Sequence, residues 1–184
     1  MKKDVVKNRL AEAVKECMKV QPVDRITVAT IAEQCGVSRQ TFYRNFLDKY
    51  DLINWYFDKL VMEAFEQIGT KTTIQDCLVK KLHFIEDERV FFEAAFRSED
   101  YNSLREHDFR LILGFYQKLI REKNPKILTD ENEALLEMYC QSSVYMTVKW
   151  ILSGMKKTPE QMAEILVHAI PYRLELDLKK IHLL

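Results

Sequence analysis

The first fifty residues contain three short segments in which apolar side chains recur at helical spacing. The first segment ends before Pro22, and its apolar positions are Val6, Leu10, Ala13, Val14 and Cys17. Thr27 can cap a second helix over Val28–Cys35, which Gly36 ends by adopting the left-handed conformation. Ser38 can then cap a third helix over residues 39–46. Two short helices joined through a glycine turn predict a helix-turn-helix unit.

The third segment has two different faces. Phe42 and Phe46 lie four residues apart and share one face, which can pack on the apolar side of the second helix. The other face carries four polar residues, Arg39, Gln40, Tyr43 and Arg44. Arginine can bond twice to guanine and glutamine twice to adenine, while a tyrosine hydroxyl can reach a phosphate. Periodicity alone favours equally a DNA-reading helix and a helical hairpin whose polar face is simply solvated.

A fourth helix is expected from Asp48 to about Gly69. Asp48 is placed to cap it, and its apolar stripe is wide enough to pack on two sides. The ammonium of Lys49 and the N-terminal amides of this helix could together hold a backbone phosphate. After a polar break at residues 69–73, helical spacing predicts further helices, over residues 74–85, 90–96 and 104–120.

The last two helices have the clearest start and stop signals. Thr129 or Asp130 can cap a long helix that Gly154 ends. Thr158 can cap a second helix that begins with a proline and has a glutamine at its third position. Pro171 is expected to kink or end that helix. Because no segment alternates in the manner of a strand, the chain is predicted to be all-α, with about nine helices.

Composition narrows the class of protein. The 184 residues are 47% hydrophobic and 30% charged, which is the mix of a folded, water-soluble protein. Only 4 Gly and 4 Pro leave little material for many-stranded sheets or glycine-rich phosphate loops. The longest charge-free run has eleven residues, against about 20 for a membrane span, and the charged N-terminus does not resemble a signal peptide. We therefore expect a cytoplasmic location and no membrane partner.

Charge is unevenly distributed along the chain. The 28 basic and 28 acidic residues cancel overall, but residues 1–50 hold ten Lys or Arg against six Asp or Glu. A basic N-terminal region on an acidic remainder is a common layout for a nucleic-acid reader joined to a non-binding domain. The four cysteines lie far apart in apolar patterns without a C-x-x-C pair, and we expect them to be reduced and structural.

Motifs for catalysis do not occur in the sequence. His83, Glu86 and Asp87 suggest a metal or acid/base cluster, but neither H-E-x-x-H nor any close histidine pair accompanies them. No G-x-S-x-G, Walker loop or G-x-G-x-x-G is present. We therefore expect no enzymatic activity, no cofactor and no metal.

One continuous segment carries a resemblance to a known family. Residues 26–53, ITVATIAEQCGVSRQTFYRNFLDKYDLI, closely resemble the DNA-binding signature of the TetR/AcrR family of bacterial transcription regulators. The resemblance implies packing roles for the two phenylalanines of the third helix. It also implies contacts with double-stranded DNA, to phosphates from Thr27, Tyr43 and Lys49 and to bases from Arg39, Gln40 and Thr41. Ser38, Arg44 and Asn45 complete the predicted DNA-binding set; Asn45 is a weaker member because the family often has histidine there.

The same resemblance implies a two-part organisation. It predicts a helix-turn-helix domain over residues 1–50, with the motif at about 27–46, and a connecting helix over 48–68. Residues 70–184 would form a helical domain for effector sensing and dimerisation. In the family, the final helix pair meets its twin across a two-fold axis, so the resemblance implies a homodimer on a palindromic operator. The alternative is a helical adaptor that acts through protein contacts without reading specific DNA.

The sequence does not decide whether a small molecule or a partner protein acts on the C-terminal region. The region is rich in aromatics, which are Phe84, Phe91, Phe92, Phe96, Tyr101, Phe109, Phe115, Tyr116, Tyr139, Tyr145 and Trp150. Aromatics at helical spacing are more often core than ligand contacts, so no ligand residue is assigned. Residues 150–162 also resemble, loosely, a subgroup of the family that regulates dihydroxyacetone kinase genes. In that subgroup a partner protein can replace a small-molecule effector.

Overall fold

The computed structural model describes residues 2–68, 71–100 and 102–184, and ten α-helices lie within these ranges. The N-terminal elements are α1 (Lys2–Met18), a 3-10 turn (Val23–Arg25), α2 (Val28–Cys35), α3 (Arg39–Tyr43) and α4 (Lys49–Phe65). The middle helices are α5 (Ile74–Asp87), α6 (Arg89–Arg97) and α7 (Leu104–Lys123). A second 3-10 turn (Pro125–Ile127) precedes α8 (Asp130–Leu152), α9 (Pro159–His168) and α10 (Tyr172–Lys180). No strand occurs in the described ranges, and the predicted all-α class is confirmed.

The C-terminal end of the chain differs from the sequence prediction. Helix α9 ends at His168, so the expected break near Pro171 is confirmed. The proline does more than stop a helix, because it occupies the N-cap position of α10, a helix that the sequence pattern does not predict. The predicted end of the fourth helix at Gly69, and Tyr101 among the aromatics, lie outside the described residues.

The chain forms two compact units, the first of which contains the residues up to Leu60 together with Glu88–His107. Its core includes Phe42, Phe57 and Phe92, each with at most 1% of its surface exposed. The rings of Phe57 and Phe92 meet edge to face with centroids 6.0 Å apart. Helix α6 is therefore a structural part of the unit that contains the helix-turn-helix. The division into a DNA-binding domain and a domain for effector sensing and dimerisation stays a prediction.

The second unit contains Val61–Asp87 and Asp108–Leu184, and α5 packs against α9 in it. Its interior holds a buried ion pair, in which Lys81 Nζ lies 2.9 Å and 3.2 Å from the two carboxylate oxygens of Asp108. The backbone N–H of Ile74 donates to the carbonyl of Leu183 and joins the start of α5 to the C-terminal end. Both charges of the ion pair are removed from water, so each depends on the other to remain buried.

The four cysteines are buried and none forms a disulfide, as predicted. Burial raises the pKa of the Cys140 thiol to about 12, so this group stays protonated near neutral pH. Within the described ranges, no helix combines the length and hydropathy that a membrane span requires.

Candidate nucleic-acid interface

The helix-turn-helix begins with the cap that the sequence predicts. The Thr30 backbone N–H donates to Thr27 Oγ1 over 3.1 Å and satisfies one of the first amides of α2. At the other end, Gly36 adopts φ 68° and ψ 35°, and the N–H of the following Val37 donates to the carbonyl of Ala32 over 2.9 Å. This left-handed C-terminal cap reverses the chain direction and aims it into the next helix.

The start of α3 is fixed by a second predicted cap. The Thr41 N–H donates to Ser38 Oγ over 3.1 Å, and the hydroxyls of these two residues lie 3.0 Å apart. Thr27 Oγ1 is likewise 2.9 Å from Thr30 Oγ1. The hydroxyls of Thr27 and Ser38, two of the predicted DNA contacts, thus already cap helices, and the Thr41 hydroxyl lies beside that of Ser38.

Helix α3 separates its buried and exposed sides as its spacing indicates. Phe42 is fully buried and Phe46 is 3% exposed, and their ring centroids are 6.0 Å apart. Arg39, Gln40 and Arg44 are exposed, and Tyr43 has 58% of its surface exposed. Three of these polar side chains therefore project from α3 and the fourth from Arg44 directly after it, and the two buried phenylalanines hold this segment in place. Their contacts with DNA stay predictions.

The third helix is shorter than predicted, ending at Tyr43 instead of at residue 46. Asn45 explains the difference, because its side-chain amide donates to the Thr41 carbonyl over 2.8 Å. That carbonyl would otherwise accept the backbone N–H of Asn45, which bonds to the Phe42 carbonyl instead. A local side-chain bond of this kind competes with the helical pattern and ends it. Asn45 thus helps to end α3, and its side-chain amide already donates one hydrogen bond.

Lys49 is partly buried against the 3-10 turn (Val23–Arg25) that precedes α2. Its Nζ donates to the carbonyl of Asp24 and to that of Ile26, both over 2.9 Å. Burial lowers the pKa of this ammonium, and the carboxylates of Asp24, Asp100 and Asp48 act in the opposite direction. Because an ammonium has three N–H groups, two carbonyl contacts leave one for another acceptor.

Two backbone amides at the start of α4, which were expected to bind a phosphate, already donate to a side chain of the protein. Asp48 Oδ1 accepts the backbone N–H groups of Tyr50 and Asp51, each over 2.8 Å. The prediction of Asp48 as the helix cap is therefore confirmed. The prediction that these amides join Lys49 in holding a phosphate is wrong for the two amides that the cap occupies.

Two basic residues of α1 support this interface and were missed from the sequence. Lys7 Nζ lies 5.0 Å from the ring centroid of Phe46 and 5.2 Å from that of Trp55. Arg9 Nη2 donates over 2.8 Å to the carbonyl of Cys35, the last residue of α2. A cation near a helix C-terminus interacts favourably with its exposed carbonyls. Both contacts join residues far apart in the chain, so spacing could not reveal them.

The interior of the second unit is closely packed around its aromatics. Tyr116, Tyr139 and Trp150 are each at most 5% exposed, whereas Tyr145 is 61% exposed. A cavity bordered by Tyr116 and Tyr139 measures about 20 Å³, which is the space of roughly one water molecule. In this conformation, that cavity does not have room for an organic effector.

Capped helices across a glycine turn, with an exposed polar face on the second helix, define the helix-turn-helix class of proteins. Comparison with family models identifies the family within this class. Residues 10–55 match the model of bacterial regulatory proteins of the tetR family, and residues 72–172 match a transcriptional regulator C-terminal region. The chain belongs to the TetR family of bacterial transcriptional regulators.

Individual relatives are distant. The dhaKLM operon transcriptional activator DhaS of Lactococcus lactis is 26% identical over 97 residues, and the alignment covers 52% of each chain. The chain thus spans about half the length of the curated relatives it matches. A solved structure of a dihydroxyacetone kinase operon activator DhaS aligns over 96% of both chains with a TM-score of 0.65 and 19% identity. The fatty acid degradation regulator FadR of Bacillus halodurans aligns over 88% of this chain and 92% of its own, with a TM-score of 0.56 and 16% identity.

Proposed function

We propose that this protein is a sequence-specific transcriptional regulator that binds a palindromic operator in double-stranded DNA as a homodimer. A ligand or partner protein at the C-terminal region changes its affinity for that operator. The observation that carries the proposal is the division of α3 into a buried phenylalanine face and an exposed face of DNA-compatible polar groups.

The exposed face supplies both kinds of contact that specific DNA binding requires. Base edges in the major groove are read by Arg39, Gln40 and Thr41, and the backbone is held by Tyr43 and the remaining ammonium N–H of Lys49. Thr27, Ser38, Arg44 and Asn45 lie around these groups and add phosphate contacts. Phosphate contacts fix the register of the helix on the duplex, while the base contacts select the sequence.

Dimerisation is supported by apolar side chains that the second unit leaves exposed on α8 and α9. Met138 and Tyr145 on α8 are 68% and 61% exposed, and Ile165 on α9 is 38% exposed. Exposed apolar surface of this kind commonly marks a protein interface. A two-fold dimer presents two reading helices about 34 to 36 Å apart, which matches successive major-groove faces of a palindrome.

The test is selection of bound sequences from a random DNA pool with the purified protein at two salt concentrations. A double variant, Arg39→Ala/Tyr43→Ala, is selected in parallel as the control. The proposal predicts a palindromic motif for the natural protein and its loss in the variant. Failure to enrich any motif at either salt concentration, with or without cell extract as a source of effector, would instead support an adaptor without specific DNA reading.

A further inference from the structure

Asp24 joins the end of α6 to the region of the helix-turn-helix. This residue lies in the 3-10 turn between α1 and α2. Its Oδ1 accepts a hydrogen bond from Ser98 Oγ over 2.6 Å and a longer one from Tyr50 Oη over 3.2 Å. Ser98 caps the C-terminus of α6 and is 5% exposed, so this hydroxyl contributes a partly buried bond between segments 74 residues apart.

The same residue also contacts Lys49, but through its backbone. The ammonium donates to the carbonyl oxygens of Asp24 and Ile26, and no hydrogen bond joins it to the Asp24 carboxylate. The carboxylate therefore fixes the turn, and the turn's carbonyls fix the ammonium. Tyr50 strengthens this arrangement, because its hydroxyl donates to the carboxylate while its ring centroid lies 5.0 Å from Lys49 Nζ.

We propose that Asp24 and Ser98 are positioning residues for the phosphate contact of Lys49. The inference rests on the proposed DNA-binding function and adds two residues to it that touch no DNA themselves. Ser98 lies within residues 72–172, the range that matches the family's C-terminal region. A residue of the C-terminal sequence region thus sets the geometry of a DNA contact.

The sign of one mutational effect separates this inference from simple electrostatics. DNA is a polyanion, so removing a carboxylate from its binding unit should strengthen binding if charge alone matters. The positioning role predicts that Asp24→Ala weakens binding. Asp24→Asn removes the same charge but keeps an oxygen acceptor for Ser98, so it should bind at least as tightly as the natural protein. Glu33→Ala removes an exposed acid from α2 and is the matched control, with unchanged or tighter binding expected.

The experiment measures operator affinity over a range of salt concentrations for the full chain and its variants. Lys49→Ala should weaken binding about tenfold and lower the log-log salt slope by about one per subunit, as loss of one phosphate contact requires. Asp24→Ala and Ser98→Ala should each reproduce part of both changes. In the Lys49→Ala background neither should weaken binding further, because the group that they position is gone.

Several results would overturn the inference. Binding that tightens with Asp24→Ala as it does with Glu33→Ala contradicts it, as does a Ser98→Ala loss that persists in full without Lys49. Thermal unfolding of each variant shows whether a loss of binding reflects a general loss of stability. If Asp24→Ala does not fold, Ser98→Ala, which deletes only one hydroxyl, provides the test. If the natural protein binds no specific DNA, the proposed function itself fails. If it binds but Lys49→Ala leaves the salt slope unchanged, only the positioning role fails.

Discussion

Single residues of the proposed DNA-reading surface differ in the kind of contact that they can make with DNA. Arg39 is exposed on α3 and its guanidinium can address a guanine edge in two places. Lys49 is half-buried against the 3-10 turn that contains Asp24, and in the proposed complex it offers a point charge to the DNA backbone. The first kind of contact depends on the base sequence and the second does not. Affinity and sequence preference should therefore respond separately to substitution.

Arg39→Ala is expected to reduce discrimination at one operator position by about 1 to 3 kcal/mol. Lys49→Ala should weaken binding to all sequences by a similar factor and leave the preferred motif unchanged. Titrations against a series of operators with single base changes distinguish these effects. An Arg39→Ala protein that retains the full preference at every position would show that this residue does not read a base.

The buried ion pair of the second unit allows a prediction about stability. Lys81→Met leaves the Asp108 carboxylate buried without its main cation, which should lower the free energy of unfolding by about 3 to 5 kcal/mol. The double variant Lys81→Met/Asp108→Leu removes both charges and should be more stable than the single one. Chemical denaturation of the three proteins measures both differences. A double variant less stable than Lys81→Met would mean that the unpaired carboxylate does not cause the loss of stability in the single variant.

At the scale of elements, the starts of three helices follow from a capping residue and the amide three positions after it. Thr27, Ser38 and Thr158 each accept the amide three positions ahead, so their caps could be predicted from the sequence. The end of α3 was not predicted, because two donors of Asn45 compete for nearby carbonyls and spacing does not decide between them. Helix α10 was missed because Pro171 reads as a stop signal, although a proline is equally suited to precede a helix.

Replacement of glycine by alanine should have opposite effects on protein stability at two positions. Gly36 adopts φ 68° in the turn before α3, so Gly36→Ala should destabilise the protein by roughly 1 to 2 kcal/mol through backbone strain. Gly114 lies within α7 and a methyl group there meets no atom within 4 Å. Gly114→Ala should therefore stabilise the protein by about 0.5 to 1 kcal/mol. Thermal unfolding checks the two signs, and a Gly36→Ala protein as stable as the natural one would contradict the expected strain at this turn.

At the scale of the whole molecule, the proposed function requires two copies of the chain. The sequence predicted which helices would carry the dimer only through family resemblance, since exposure depends on how α8 packs. Met138 and Tyr145 fall in the same helix as the buried Tyr139 and Val144, and the helix has apolar residues on several sides. Periodicity could not separate an internal face from an external one. The contact between Ser98 and Asp24 likewise has no local sequence signal.

Lysine substitutions at the exposed apolar side chains of α8 and α9 should produce a monomer that binds DNA poorly. Tyr145→Lys/Ile165→Lys places two cations per subunit in the proposed interface, where each would be desolvated and repelled by its symmetry copy. Glu122→Lys adds a lysine on the exposed last turn of α7 and is the control. Sedimentation measures mass, and titration should show an operator affinity more than tenfold weaker for the double variant. A monomer with unchanged operator affinity would refute the dimer requirement.

The first compact unit is built from two separate stretches of chain, with Glu88–His107 packed among residues that precede Leu60. This arrangement constrains how such regulators can exchange parts. A single crossover after the fourth helix would transfer the proposed reading helix to another regulator without its own α6. In the resulting chimaera, Phe57 would lose its contact with Phe92, and Asp24 would lose its hydrogen bond from Ser98. To keep the proposed DNA specificity, a chimaera therefore needs two crossovers that transfer both stretches of the first unit. Alternatively, the sixth helix of the recipient must already pack against the transferred N-terminal helices.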